Sequence, residues 1–300
     1  MSSDATFIEV ALNGTTGKAA NPHVPRTPAE ITADALACIE AGASIVHNHN
    51  DEPMVVPDGV HSPAPYIAAW EPILAAHPDV LLYATMASGG PGIAIETRWA
   101  HQIALARAGV SRMGLVDPGS VSLGPLDPAG LPAPTDLVYV NSFADARYMV
   151  DRCAELRLAP SISIFDPSFL RVALAFRAAG ALPRGAIVKL YFGGGIPFGL
   201  PPTRVGLDAY LAMLEGTGLP WSVAVLGGDV IGCGLAREAI ERGGHVRVGL
   251  EDYAGPGTRT NVELVAAAAR LVETCGRSVA TPAETHALLG LDTGDGVAPA

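Results

Sequence analysis

The sequence predicts an α/β fold, a (β/α)8 TIM barrel built as a single domain over residues 1–300, with loops at its mouth and a C-terminal extension. Three observations predict it. Eight short β-rich apolar runs recur along the chain, each followed by a loop and an amphipathic stretch of helical length, and eight is the number of parallel strands that closes a barrel. The chain is 49% apolar, enough to build a large core without disulfide staples. No strand is followed by G-x-G-x-x-G, which leaves the runner-up, an open doubly wound sheet, without its signature.

Strands are expected at 7–12 (FIEVAL), 43–49 (ASIVHNH), 80–86 (VLLYATM) and 111–116 (SRMGLV) in the first half. The second half supplies 159–165 (APSISIF), 186–192 (AIVKLYF), 221–227 (WSVAVLG) and 245–251 (HVRVGLE). Helices are expected at 28–41, 94–108, 143–157, 166–179, 231–242 and 259–274. The first carries its own start signal. Thr27 as N-cap, Pro28 in the first turn and Glu30 three residues after the cap form a capping box, with Gly42 a C-cap candidate. Residues 117–134, rich in Pro, Gly and Asp, read as a long mouth loop, with 137–141 a small extra strand. Residues 193–202 form a second loop after strand six, and 282–290 a last helix that would cover a neighbouring surface or a partner subunit.

The formal charge of -11 argues against nucleic acid or an anionic membrane as partner. Cys38, Cys153, Cys233 and Cys275 are scattered without C-x-x-C spacing and read as reduced thiols. No basic-then-apolar leader is evident, and no apolar run reaches the roughly 20 residues of a membrane span. The expectation is a cytoplasmic protein.

A metal site stands out. Residues i and i+2 on a strand share a side, so His47 and His49 project together at the C-terminal end of strand two, the end where barrel active sites lie. On strand eight, Val246, Val248 and Leu250 share the outer face, which sends Glu251 inward. Strand eight neighbours strand one and strand one neighbours strand two, so the three ligands stand roughly 10 Å apart at the backbone. Two imidazoles and a carboxylate with open positions form a usual catalytic zinc set. The expectation is one divalent ion per chain, zinc, held by His47, His49 and Glu251. The bland alternative is that the histidines only hydrogen-bond within the barrel.

Several segments, in order, carry a resemblance to the β-keto acid cleavage enzymes, whose founding activity is 3-keto-5-aminohexanoate cleavage. They are Asn13-Gly14, Pro25-Arg26-Thr27-Pro28-Ala29-Glu30-Ile31, Ala41-Gly42-Ala43 running into His47-Asn48-His49, Ser88-Gly89-Gly90, Gly119-Ser120, Ile164-Phe165-Asp166 and Gly243-Gly244-His245-Val246-Arg247-Val248-Gly249-Leu250-Glu251-Asp252. The resemblance spans nearly the whole chain, and the last run is highly specific. It implies a TIM barrel, a homotetramer, and zinc on His47, His49 and Glu251. It implies transfer of an acetyl unit between a β-keto acid and an acyl-CoA, with acetyl-CoA as co-substrate, giving acetoacetate and a new CoA ester. The ion would act as a Lewis acid on the substrate oxygens. Asp252 would be the base, with a loop hydrogen bond as its plainer role. Ser88 would donate to a substrate oxygen. Asn13, Gly89, Gly90, Gly119, Ser120 and Asp229 complete the expected substrate contacts. The amides of Gly193 to Gly195 are candidates for a phosphate or CoA, with a flexible turn as the plainer reading.

Three positions depart from the family pattern. Asp51 stands where an arginine is common, Asp229 where an arginine supporting the base is expected, and Ser163 where strand five usually presents a glutamate. Asp229 is expected to raise the pKa of Asp252 by like-charge repulsion, while the inward Arg247 and Lys189 either compensate or form buried ion pairs. An acidic mouth would suit a substrate bearing an amine. Two other functions compete: a metal-dependent hydrolase or lyase on a small oxo-acid without CoA, and a non-catalytic metal-containing binder.

Overall fold

The computed structural model describes residues 4–53, 58–88 and 92–291. Eight parallel strands form the central sheet: β1 (Ile8–Ala11), β2 (Ile45–Asn48), β3 (Leu81–Ala84), β4 (Met113–Val116), β5 (Ala159–Ile164), β6 (Ile187–Gly193), β7 (Trp221–Leu226) and β8 (His245–Val248). Their order around the sheet is β3-β2-β1-β8-β7-β6-β5-β4, so β8 pairs with β1 and the sheet curls into a nearly closed barrel. The seam lies between β3 and β4, where the Ser111 hydroxyl donates to the Leu82 carbonyl at 3.0 Å.

Helices α1 (Pro28–Glu40), α2 (Ala64–Ala76), α3 (Ile95–Arg98), α4 (Ala100–Arg107), α5 (Phe143–Glu155), α6 (Pro167–Ala178), α7 (Arg204–Leu214), α8 (Leu235–Glu241) and α9 (Asn261–Thr274) connect and follow these strands. The capping box at Thr27 and Glu30 forms as the residue types require, and the same device opens α5 at Ser142 and α9 at Thr260. Outward strand residues such as Val10, Val46, Val188, Val246 and Val248 join the helices in one continuous apolar core. The barrel interior is different. Glu9, Tyr83, Lys189 and Arg247 are all buried there and hydrogen-bond in one network centred on Glu9 Oε1 and the Tyr83 hydroxyl.

Two short additions flank the barrel. Val121–Ser122 and Val138–Tyr139 pair antiparallel within the loop after β4, narrower than the expected strand at 137–141. Helix α10 (Pro282–Leu288) folds under the barrel of its own chain, where Thr285 donates to the Ser44 hydroxyl and His286 bonds the Asp79 carbonyl. Of the two surfaces expected for this helix, a neighbouring one or a partner subunit's, it covers a neighbouring one, the bottom of its own barrel. All four cysteines are unpaired. No helix among the described residues is long and apolar enough to cross a membrane.

Candidate metal centre and active-site cavity

His47 is a strand residue in β2, registered between Ala11 of β1 and Tyr83 of β3, while His49 lies one residue past the strand end. Glu251 reaches them by a different route from the one expected. β8 ends at Val248, and residues 249–252 turn tightly, with the Asp252 and Tyr253 amides both donating to the Gly249 carbonyl. Gly249 takes φ +137, and a Cβ there would stand 2.0 Å from the Ala11 carbonyl oxygen. Only glycine lets the chain press against β1 and turn, so strand alternation is not what aims Glu251 inward.

The result is convergence. One donor atom from each of His47, His49 and Glu251 lies within 4.8 Å of the others. His47 Nε2 is 3.2 Å from Glu251 Oε2 and His49 Nε2 is 3.5 Å from Glu251 Oε1. Burial pushes the His47 imidazole down to about 4, which keeps it in the neutral form that ligates metals. Its Nδ1 faces the Tyr83 carbonyl at 3.2 Å, the outer contact that orients a ligating imidazole. Burial pushes Glu251 upward, but Arg247 and the two histidines outweigh it and hold the carboxyl well below the usual range. Glu251 Oε2 is buried with no hydrogen-bond partner. An orphaned carboxylate oxygen between two imidazoles is the donor set a divalent ion fits.

Arg247 ties this group to the barrel interior. Its Nε and Nη2 grip Asp252 at 2.7 and 3.3 Å, Nη2 meets Glu251 at 3.0 Å, and Nη1 donates to Glu9 at 2.8 Å and the Tyr83 hydroxyl at 3.0 Å. Arg247 and Glu9 are register partners across β8 and β1, so the ion pair is built into the ladder. Lys189 donates to the Tyr83 hydroxyl at 2.7 Å and stands 4.0 Å from Glu9. Both cations therefore form buried ion pairs. Asp252 is raised above the ordinary range by burial, with Glu251 adding to the effect and Arg247 opposing it.

That corrects the part expected of Asp229. Its carboxylate is turned into its own loop, where Oδ1 accepts the Ile231 and Gly232 amides at 3.0 and 2.9 Å. It does not line the mouth cavity, and the like charges that help burial raise Asp252 are Glu251 and Glu9, not Asp229. The arginine that supports Asp252 comes from β8 itself. Asp51 pairs with Arg26 at the exposed rim.

Above the three ligands lies a cavity of about 180 Å³ lined by Thr15, Thr85, Asp117, Ser163, Phe165, Lys189, Tyr191 and Asp252 among others.

The other expected contacts fall elsewhere. Asn13 is consumed by the backbone: Nδ2 donates to the Pro25 and His49 carbonyls, and Oδ1 accepts the Gly14 and His49 amides. With every polar atom engaged it positions His49 and has nothing left for substrate. Gly119 and Ser120 line a separate, larger groove of about 900 Å³ between α5 and α6. Ser120 there exchanges hydrogen bonds with the Asn141 backbone. The amides of Gly193, Gly194 and Gly195 already donate to the carbonyls of Leu200, Leu226 and Gly227, so none is free for a phosphate. Ser88 is buried, and Gly89 and Gly90 lie outside the described residues.

Sequence reasoning missed Asp117, Tyr83 and Tyr191. Asp117 was the readable one, being an acid immediately after a barrel strand.

Comparison with known proteins agrees with this architecture. A family model described as beta-keto acid cleavage enzyme matches residues 5–291. The chain is 32% identical to a 3-oxoadipate:acetyl-CoA acetyltransferase of Cupriavidus necator, over 95% of this chain and 94% of that one. It is 28% identical to a 3-dehydrocarnitine:acetyl-CoA trimethylamine transferase of Rhizobium meliloti, over 95% and 96%. Among solved structures it resembles the complex of ObcA with oxaloacetate, at TM-score 0.67 and 18% identity over 90% of this chain and 68% of that chain, which shows the fold alone.

Proposed function

This chain belongs to the family of β-keto acid cleavage enzymes and is a transferase, and from that premise we propose that it exchanges carbon between a β-keto acid and acetyl-CoA at a zinc site on His47, His49 and Glu251. The observation that carries the reading is the convergence of those three donors beside Asp252 at the floor of one small cavity.

When bound, the divalent ion supplies Lewis acidity to the carboxylate and keto oxygens of the substrate. The chain's own groups do the rest. Asp252 accepts a proton from the C2 methylene, which the neighbouring keto group makes acidic. Its raised pKa brings it toward that task, and the two-pronged grip of Arg247 fixes its direction. The buried walls exclude water, so the carbanion is kept for the acetyl carbonyl. A bond forms between C2 and the acetyl carbon as the acetyl–sulfur bond breaks; the freed CoA thiolate adds to the keto carbon C3, the C2–C3 bond breaks with the remaining acyl group left on the CoA sulfur, and Asp252 returns its proton to C2. The products are acetoacetate and a new CoA ester, and the proton count is unchanged. The relatives named above, one acting on 3-oxoadipate and one on 3-dehydrocarnitine, support a keto acid with a substituted tail. On the same reading the enzyme is a cytoplasmic homotetramer, which sedimentation of the purified protein checks.

The test has two arms. Metal content is measured for the parent, His47→Ala and Glu251→Gln; loss of stoichiometric zinc in both variants is expected. The zinc-loaded parent is then incubated with acetyl-CoA and a panel of β-keto acids. No acetoacetate from any of them would refute the transferase reading.

A further inference from the structure

We propose that the bottom of the barrel carries a second ligand site, remote from the metal centre, which binds a hydrogen phosphate group through Arg112, Arg157, Arg184 and His286. It is independent of the transferase reading.

Arg112 immediately precedes β4, Arg157 follows α5, Arg184 lies in the loop before β6, and His286 belongs to α10. These segments meet under the strand starts and enclose a cavity of about 370 Å³. The chain is acidic, with 30 Asp and Glu against 19 Lys and Arg. Yet three of those 19 cations line this one cavity, and among the described residues no carboxylate does. Arg184 is braced, its Nη2 donating to the Gly290 carbonyl at 2.8 Å. Glu155, the acid nearest Arg157 in sequence, is paired with Arg152 instead. Guanidinium groups gathered without an acid repel one another, and a bound anion relieves that repulsion.

The backbone of Arg157 is the second observation. It takes φ +54, the one positive φ of a non-glycine residue among those described. It sits in the left-handed position that closes α5, where its amide bonds the Ala154 carbonyl at 3.3 Å and the Leu158 amide bonds the Cys153 carbonyl at 2.9 Å. The matching residue after α1, α4, α6, α8, α9 and α10 is a left-handed glycine: Gly42, Gly109, Gly180, Gly243, Gly276 and Gly290. Glycine is the unstrained choice there, so the arginine bears a strain that a task for its side chain explains.

His286 says which anion. It is 2% exposed, and its Nε2 donates to the Asp79 carbonyl at 2.9 Å. Burial and Arg112 push its pKa down, which leaves Nδ1 an acceptor, and that atom is buried without a partner. The cavity therefore lacks both a negative charge and a proton donor. Hydrogen phosphate supplies both, its charged oxygens suiting the guanidinium N–H groups and its O–H suiting Nδ1. Sulfate and carboxylate bring charge with no proton to give.

The test is calorimetry and thermal melting of the purified full chain at neutral pH, in inorganic phosphate, glycerol phosphate, sulfate or chloride at matched ionic strength. The parent is expected to bind one phosphate group saturably and at least about tenfold tighter than sulfate, the scale of one hydrogen bond involving a charged group. The free ion and the monoester share the chemistry, and the tighter of the two identifies the source. Arg157→Gly removes the guanidinium and the strain together. Without phosphate it should melt higher than the parent, and it should bind phosphate at least about tenfold more weakly. Arg112→Gln, on a different element, should weaken phosphate in the same way. No saturable binding by the parent overturns the proposal, as does sulfate binding as tightly as phosphate. Unchanged phosphate affinity in either variant overturns it too, because the ion would then sit at the metal ligands or elsewhere.

Discussion

The Asn13 side chain clasps the backbone of His49 from both sides, Oδ1 accepting its amide at 2.8 Å and Nδ2 donating to its carbonyl at 3.0 Å. His49 has left β2, so no ladder hydrogen bond sets its φ and ψ; this side chain, two residues past the end of β1, does. Asn13→Ala should lower zinc affinity by about 10–100-fold, the scale of lost outer-shell support. Competition against a chromogenic chelator measures it, and unchanged affinity would show that the clasp is dispensable.

Gly14 holds the opposite side of the site. It takes φ +52, and a Cβ there would lie 2.3 Å from Glu251 Cγ. Gly14→Ala is expected to displace the Glu251 side chain and reduce bound zinc below one per chain. Glu251→Ala in the same background should then cause no further loss, because the ligand is already gone. A second, additive loss would show that Gly14 does not act through Glu251.

Arg247 is 1% exposed and serves Glu9, Glu251 and Asp252 together. Arg247→Met leaves several buried carboxylates without their cation and should cost about 3–5 kcal/mol of stability. Adding Glu9→Gln should restore part of that loss by removing one stranded charge. The check is a chemical-denaturation cycle of the two single variants and the double variant; strict additivity would mean the pair is not coupled.

A pH effect sits outside the cavity. Burial raises Asp34 to about 6, against the opposing hydrogen bond from Asn261 at 2.6 Å. Because the folded pKa exceeds the ordinary carboxyl value, the stabilisation from protonated Asp34 is complete below about pH 4 and is lost as pH rises through 6. Asp34→Asn keeps an acceptor for Asn261 and does not ionise. It should match the parent near pH 4 and exceed it at pH 8 by about 1–3 kcal/mol. Thermal melts across that range read it directly, and a constant difference would exclude Asp34 as the cause.

The repeating strands of this chain were legible because each outward residue, such as Val46 or Val188, is chosen by the helix it faces, and that choice repeats every second position. His47 could be placed from the same alternation. Glu251 could not, since its position depends on a turn at Gly249 whose cause is a contact with Ala11, far away in sequence. Asp229 misled for a related reason. The residue type suggested charge at the mouth, but its carboxylate bonds the two amides that follow it.

Local pattern was therefore enough for the eight-strand order, the capping box at Thr27 and the inward placement of His47. These properties depend on neighbours within a few positions, or on a periodicity that the chain itself displays. Which side chains spend their hydrogen bonds on backbone, as Asn13 does, and which reach the cavity with an oxygen to spare, as Asp117 does, was settled only when β1, β2, β4 and β8 came together. Hydrogen bonds are short and directional, so their partners are set by tertiary approach and not by spacing along the chain.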